Sequence, residues 1–137
     1  MKNIKEKVSK WPSWTFTFIV LIIILWLTLA PHPLGETDIP MFPGADKIVH
    51  ALMFGGLAMA GFFDWSRTHK WAKLPVMWGW CIVLASAVIG IDIEFAQQSM
   101  HLGRSLEIGD MIADVAGAVL ALIVWRIMDR SRPGSVS

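Results

Sequence analysis

Charged side chains are scarce in this sequence of 137 residues. They make up 17% of it, whereas a soluble domain carries about 25%. Hydrophobic residues make up 55%, and the mean hydropathy is +0.54. Because the formal net charge is only +1, no strong field of one sign favours nucleic acid as a partner. The shortage of charge is concentrated in long apolar runs, which indicates an integral membrane protein.

Cysteine and the common catalytic motifs are also nearly absent. The single thiol, Cys81, excludes an internal disulfide and a metal centre built on cysteine. The sequence lacks a glycine-rich phosphate loop and a Gly-x-Ser-x-Gly motif, and no His-x-x-x-His pair favours zinc. Tyrosine is missing, but there are eight tryptophans. Several, including Trp65 and Trp125, lie near predicted helix ends, as expected of an interfacial aromatic belt.

Four apolar segments predict transmembrane helices at about 14–31, 47–64, 75–98 and 107–128. Short connections between such helices favour an all-α antiparallel four-helix bundle, with one domain over residues 1–137. Between the second and third helices we expect a short basic loop over residues 64–73. The basic start before the first apolar run also fits a signal peptide, but Pro31 follows the candidate cleavage point, so we expect this helix to be retained.

The distribution of lysine and arginine predicts the orientation of the bundle. Ten of these residues fall at the two termini and in the 64–73 loop, and two, Lys47 and Arg104, fall on the other side. The positive-inside rule then places both termini in the cytoplasm and this protein in the cytoplasmic membrane. The connections 31–47 and 99–106 would face outward.

Unusual polar residues concentrate at the outward ends of the predicted helices. Those that we select as candidate site residues are Asp46, Lys47, His50, Glu94, Gln97, Arg104, Ser105, Asp110 and Asp114. Pairs four residues apart, such as Asp110 and Asp114, share one face of a helix. Small residues lie on or beside the faces of Glu94 and Asp114, for example Gly90 and Gly117, and permit close helix packing. The spacing therefore predicts one pocket shared by the three later helices.

Glu94, Asp110 and His50 are the candidate catalytic set, acting either as acid and base or as ligands of a divalent cation. Lys47 and Arg104 suit a phosphate group. Structural roles are the alternative. Asp46 and Glu107 would complement helix dipoles, Lys47 would extend to the interface, and Arg104 would form a buried pair with a carboxylate. Asp114 lies deepest, where a dipole role is weakest.

The order of these residues resembles the VanZ-like family, which is named for a teicoplanin-resistance protein. The matching fragments are Asp46-Lys47-x-x-His50, Glu94-x-x-Gln97, Gly103-Arg104-Ser105, Asp110, and Asp114 followed by Gly117. Asp114 replaces an asparagine of the family pattern, and Gln98 competes with Gln97 for the glutamine position. The resemblance covers residues 14–128 and implies a small four-helix membrane protein of the cell envelope.

Two functions follow as hypotheses. The first is an outward-facing site that binds or modifies an anionic lipid headgroup or a lipid-linked cell-wall intermediate. The second is a non-enzymatic accessory protein, in which the charged residues lock the helices together or engage a partner membrane protein. Transport would require a homo-oligomer, because four short helices leave little room for a pathway.

Overall fold

The computed structural model describes residues 2–29, 45–99 and 108–131, which are almost entirely helical and contain no strand. The helices are α1 (Lys2–Ser9), α2 (Thr15–Leu29), α3 (Ala45–Thr68), α4 (Val76–Ser99) and α5 (Ile108–Ser131). This confirms the predicted all-α class. By length and composition, α3, α4 and α5 can each cross a membrane. Twenty-four residues extend about 36 Å, against about 30 Å of hydrocarbon.

The largest differences from the predicted helices are at two places. A short helix, α1, precedes the first apolar helix, where the sequence indicated only a basic segment. The third helix in the chain, α3, continues to Thr68, so half of the expected 64–73 loop is helical. It ends where Lys70 and Trp71 adopt left-handed backbone angles, with φ of 56° and 61°. A hydrogen bond from the Trp71 amide to the Ser66 carbonyl, 2.7 Å long, closes this turn.

A buried ion pair in the last turns of α3 fastens the N-terminal segment to the bundle. Arg67 Nε donates to Asp64 Oδ1 at 2.7 Å, and both side chains are fully buried. The other guanidinium nitrogens donate to the carbonyls of Val8 at 3.0 Å and Pro12 at 2.6 Å. Asp64 Oδ2 in turn accepts hydrogen bonds from the amide and hydroxyl of Thr17. The start of α2 therefore packs beside the end of α3, so these two helices are antiparallel.

A second polar connection at the same end orders the segment before α4. The amide of Leu74 donates to Asp129 Oδ2 at 3.1 Å, and the carbonyl of Leu74 accepts a hydrogen bond from Arg126. Because Leu74 precedes α4 and Asp129 lies near the end of α5, these two helices are also antiparallel.

Apolar packing between α3, α4 and α5 forms the larger of two core clusters. Phe62 is fully buried in it, and its ring lies 6.0 Å from that of Trp125. Trp65 and Trp125 are only 5% and 7% exposed, so these two residues belong to the core and not to an aromatic belt. The smaller cluster joins α2 to α3 and α4 through Ile24, Phe54 and Ile93.

Large apolar side chains cover much of the outer surface of the bundle. Leu52, Met77, Leu84 and Leu120, for example, are 59–77% exposed. Such a surface is unfavourable in water but matches the hydrocarbon interior of a bilayer, where the helices satisfy their own backbone hydrogen bonds. The protein is therefore a membrane protein.

Candidate functional site

Four ionisable side chains from three helices meet at the end of the bundle where α3 begins. They are His50 of α3, Glu94 of α4, and Asp110 and Asp114 of α5, here called the His50 cluster, and all four are buried. His50 Nε2 lies 3.9 Å from Glu94 Oε1 and 3.7 Å from Asp110 Oδ2. The structure thus brings together four residues that the sequence analysis selected.

Asp114 fixes the orientation of the histidine ring. Its Oδ1 lies 3.0 Å from His50 Nδ1, and because a carboxylate can only accept, Nδ1 donates this hydrogen bond. The opposite ring nitrogen, Nε2, therefore faces Glu94 and Asp110. The ring also lies nearly parallel to that of Phe54, at 12° with the centroids 6.5 Å apart. Hydrogen bonding and packing together hold Nε2 in one direction.

Lys47 lies at the rim of the His50 cluster. Its Nζ is 3.7 Å from Asp110 Oδ1, and its side chain is 46% exposed, whereas the Asp110 side chain is 11% exposed. The stem of Lys47 passes along α5 at Gly109, where an added Cβ would approach Lys47 Cε to 2.8 Å. A cationic group accessible from outside the bundle therefore stands beside buried carboxylates.

Two glycines create the close packing on which the cluster depends. A Cβ added to Gly90 would lie 2.6 Å from Asp114 Oδ2, so α4 leaves room for this carboxylate only because residue 90 has no side chain. A Cβ added to Gly117 would lie 2.1 Å from the carbonyl oxygen of Ala51, which is the neighbour of His50 in α3. The predicted close packing beside Glu94 and Asp114 is confirmed at both positions.

Gln97 lies one turn beyond Glu94 and links α4 to α2. Its Nε2 donates to the carbonyl of Thr28 at 2.8 Å, and the residue is 1% exposed. Gln98 is exposed, so Gln97 is the glutamine that faces the interior. One half of the Gln97 amide therefore has a structural contact, whereas its Oε1 accepts no hydrogen bond from a described residue. Gln97 remains a predicted ligand contact through this oxygen.

Some of the predicted site residues fall outside the described part of the chain. These are Arg104 and Ser105; Glu107, for which we predicted a helix-dipole role, lies outside it as well. Asp46 lies in the first turn of α3, but its side chain is likewise outside the described part. Asp92, two residues from Glu94 in α4, is exposed. The roles proposed for Arg104 and Ser105 therefore stay predictions.

The arrangement of the His50 cluster permits proton transfer or metal binding. One ligand atom each from His50, Glu94 and Asp110 lie within 4.8 Å of one another. Carboxylates and an imidazole held this close are suited to bind a cation together, or to exchange protons with a group placed between them. The atoms are presented from three different helices, so the bundle itself sets their separation.

Sequence analysis missed residues that hold the helices together. The carbonyl of Thr28 is one, since a backbone acceptor leaves no signal in the sequence. The Asp64–Arg67 pair is another, because we assigned these residues to a basic loop on the opposite side. Their spacing of three was the available signal, since it allows an ion pair along one helix face.

A comparison with known protein families identifies the family to which this chain is similar. The family model described as VanZ/LLP1 matches residues 7–129, a range that contains every residue of the His50 cluster. Searches of curated proteins and of solved structures gave no match. The family match agrees with the motif order found in the sequence and covers most of the chain. This protein belongs to the VanZ/LLP1 family.

Proposed function

We propose that this membrane protein binds or modifies an anionic lipid headgroup, or a lipid-linked cell-wall intermediate, at the His50 cluster. The observation that carries the proposal is the meeting of four buried ionisable side chains beside the partly exposed Lys47. Ionisable groups at membrane depth are costly, and they usually mark a ligand or ion pathway. A helix bundle that needed only to fold would be more stable with apolar residues at these positions.

The position of the cluster suits a ligand that arrives from the bilayer surface. Asp110 lies in the first turn of α5, and His50 lies close to the start of α3, so both are near the ends of apolar helices. A lipid headgroup occupies the same depth. Lys47 and the predicted partner Arg104 would bind phosphate oxygens at the rim, while Glu94, Asp110 and His50 would act on the groups that enter farther.

The proposal includes an orientation. Lysine and arginine residues favour the termini and the 64–73 region over the side of Lys47 and Arg104 by ten to two. The His50 cluster would then face the outside of the cytoplasmic membrane. Reporter fusions after residue 70 and at the C-terminus test this: both should be active as cytoplasmic reporters and inactive as exported ones. The opposite pattern would place the His50 cluster on the cytoplasmic side of the membrane.

A lipid comparison tests the function. Lipids and lipid-linked precursors would be extracted from cells that lack the protein and from cells restored with wild type, Glu94→Gln or Asp92→Asn. Asp92 is a matched control because it is an exposed acid two residues from Glu94. We expect one species to accumulate without the protein and to clear with wild type and Asp92→Asn, but not with Glu94→Gln at equal protein level. Identical profiles in all strains would contradict the proposal.

A second candidate function is that of an accessory protein without a ligand. It is favoured by one observation: Gln97 and the His50–Asp114 hydrogen bond tie separate helices together at this same end. A helix-locking role predicts that Glu94→Gln lowers the abundance and the thermal stability of the protein. A binding role predicts a folded, abundant and inactive variant. Abundance and melting temperature, measured beside the lipid profile, therefore separate these two functions.

A further inference from the structure

We infer that His50, Glu94 and Asp110 form a binding site for one divalent metal ion, with Asp114 as the residue that positions His50. The inference rests on the proposed function only for where the ligand enters. The separation of the ligand atoms, the carboxyl groups of the cluster and its buried acceptor oxygens support the ion.

The distances from His50 Nε2 to the two carboxylates suit coordination of a shared metal ion better than direct hydrogen bonds. His50 Nε2 is 3.7 Å from Asp110 Oδ2 and 3.9 Å from Glu94 Oε1, too far for hydrogen bonds. An ion with metal–ligand distances of about 2.1 Å separates adjacent ligand atoms by about 3 Å and opposite ones by about 4.2 Å. The two distances from His50 lie between these limits. Small side-chain rotations would bring the three atoms around one ion.

The carboxyl groups of the cluster favour a cation. Glu94, Asp110 and Asp114 bring three carboxyl groups around one imidazole, and all four residues are buried. Carboxylate oxygens are ligands that hard divalent ions prefer. A divalent ion between Glu94 and Asp110 would be attracted by this concentration of acidic groups.

Several buried oxygens around the cluster remain available as ligands or as partners of bound water. Among the described residues, none donates a hydrogen bond to Asp110 Oδ1, Asp114 Oδ2 or Gln97 Oε1. Asp114 and Gln97 are each 1% exposed. Buried polar oxygens are normally hydrogen-bonded. Asp110 Oδ1 has an ion-pair partner in Lys47 at 3.7 Å, whereas Asp114 Oδ2 and Gln97 Oε1 have no hydrogen bond from a described residue. Water coordinated to a metal ion would satisfy such buried oxygens.

The contact between His50 and Asp114 is the one expected behind a metal-bound histidine. Such histidines usually donate the second ring N–H to a carboxylate, which fixes the tautomer and directs the other nitrogen at the ion. Here Nδ1 and Asp114 Oδ1 are 3.0 Å apart. Nε2 is then left with its lone pair facing Glu94 and Asp110. Asp114 thus acts through His50 and does not need to reach the ion.

The donor set identifies the class of metal. Two carboxylates favour harder ions such as Mg²⁺ and Mn²⁺, and the imidazole favours Mn²⁺ over Mg²⁺. A set of three protein ligands leaves coordination positions for water or for a phosphate oxygen of a ligand. In this arrangement the ion would attract the anionic headgroup that the carboxylates alone would repel.

Binding of Mn²⁺ tests the inference. The full chain would be purified into nanodiscs of phosphatidylcholine, which has no net charge, and bound Mn²⁺ measured by electron paramagnetic resonance. We expect one ion per chain and at least a 10-fold loss of affinity in Glu94→Gln and Asp110→Asn. Asp114→Asn should lower the affinity about 10- to 100-fold, as loss of a partner behind a ligand does. Asp92→Asn should bind like wild type.

Spectroscopy of the wild-type protein keeps the inference testable if a variant fails to fold. A directly coordinated imidazole produces ¹⁴N modulation of the Mn²⁺ electron spin echo, and this modulation should disappear in His50→Gln. Absence of Mn²⁺ binding up to about 1 mM, the weak end of protein calcium sites, would overturn the inference, as would binding without ¹⁴N modulation. Equal losses in Asp92→Asn and Glu94→Gln would also overturn it.

The two proposals fail separately, because this measurement contains no anionic lipid. Mn²⁺ binding together with unchanged cellular lipid profiles would support the metal site and reject the proposed function. A lipid that depends on Glu94 for its clearance, in a protein that binds no Mn²⁺, would support the proposed function and reject the metal site.

Discussion

Replacement of Gly117 by alanine should force α3 and α5 apart and disrupt the His50 cluster. An added Cβ would lie 2.1 Å from the carbonyl oxygen of Ala51 and 2.8 Å from the Ala51 Cα. A carbon and a carbonyl oxygen normally approach no closer than about 3.3 Å. The obstacle is backbone, so one helix must move by about 1.2 Å relative to the other.

The displacement would act directly on the cluster. Asp114 precedes Gly117 by one turn, and His50 precedes Ala51 in the sequence, so the hydrogen bond of 3.0 Å between them crosses the same helix contact. A shift of this size would lengthen it beyond hydrogen-bonding range. Overpacking of this kind costs about 1–3 kcal/mol, which lowers the melting temperature by roughly 4 °C for each kcal/mol.

Gly56 provides a matched control on α3. A Cβ added to Gly56 meets nothing within 4 Å, so Gly56→Ala should melt at the wild-type temperature or slightly above it. The assay is thermal unfolding of both purified variants in the same detergent, with cellular abundance measured in parallel. A Gly117→Ala protein as stable and abundant as Gly56→Ala would refute the close contact between α3 and α5.

Three further predictions concern other contacts. Arg67→Lys should leave the carbonyls of the N-terminal segment without their guanidinium donors, so limited proteolysis should cut between α1 and α2 faster than in wild type, and equal rates would contradict the role of Arg67. Asp64→Asn should weaken the same attachment with a smaller effect, seen as intermediate cleavage. Gly90→Ala should displace Asp114, because its Cβ would lie 2.6 Å from Oδ2. Lipid clearance should then fall in Gly90→Ala but not in Gly56→Ala.

The helical class was predictable because apolar runs of membrane length leave few alternatives. The boundary of α3 was not, since Asp64 and Arg67 interrupt the apolar pattern as a loop would. Their charges are tolerated inside the structure because they pair with each other and with Thr17 and the Pro12 carbonyl. A hydropathy pattern takes no account of the partner of a charge. The predicted helix therefore ended at Asp64, four residues before the observed end at Thr68.

Helix periodicity together with the short connections predicted that the residues of the His50 cluster lie close together. The individual partners were not predictable. That His50 pairs through Nδ1 with Asp114, and that its other nitrogen faces Glu94 and Asp110, depends on how far α5 approaches α3. This approach is set by Gly117, whose importance the sequence indicated only as one small residue among several.

Binding of an anionic lipid to the purified protein tests the central claim most directly. Native mass spectrometry would count retained anionic phospholipid on wild type, on the double variant Lys47→Ala/Arg104→Ala, and on a control, Lys70→Ala/Arg130→Ala, whose exposed basic residues lie at the other end of the bundle. The account predicts retained lipid on wild type and on the control, and its loss from the first double variant. Equal retention in all three would contradict a headgroup site at the His50 cluster.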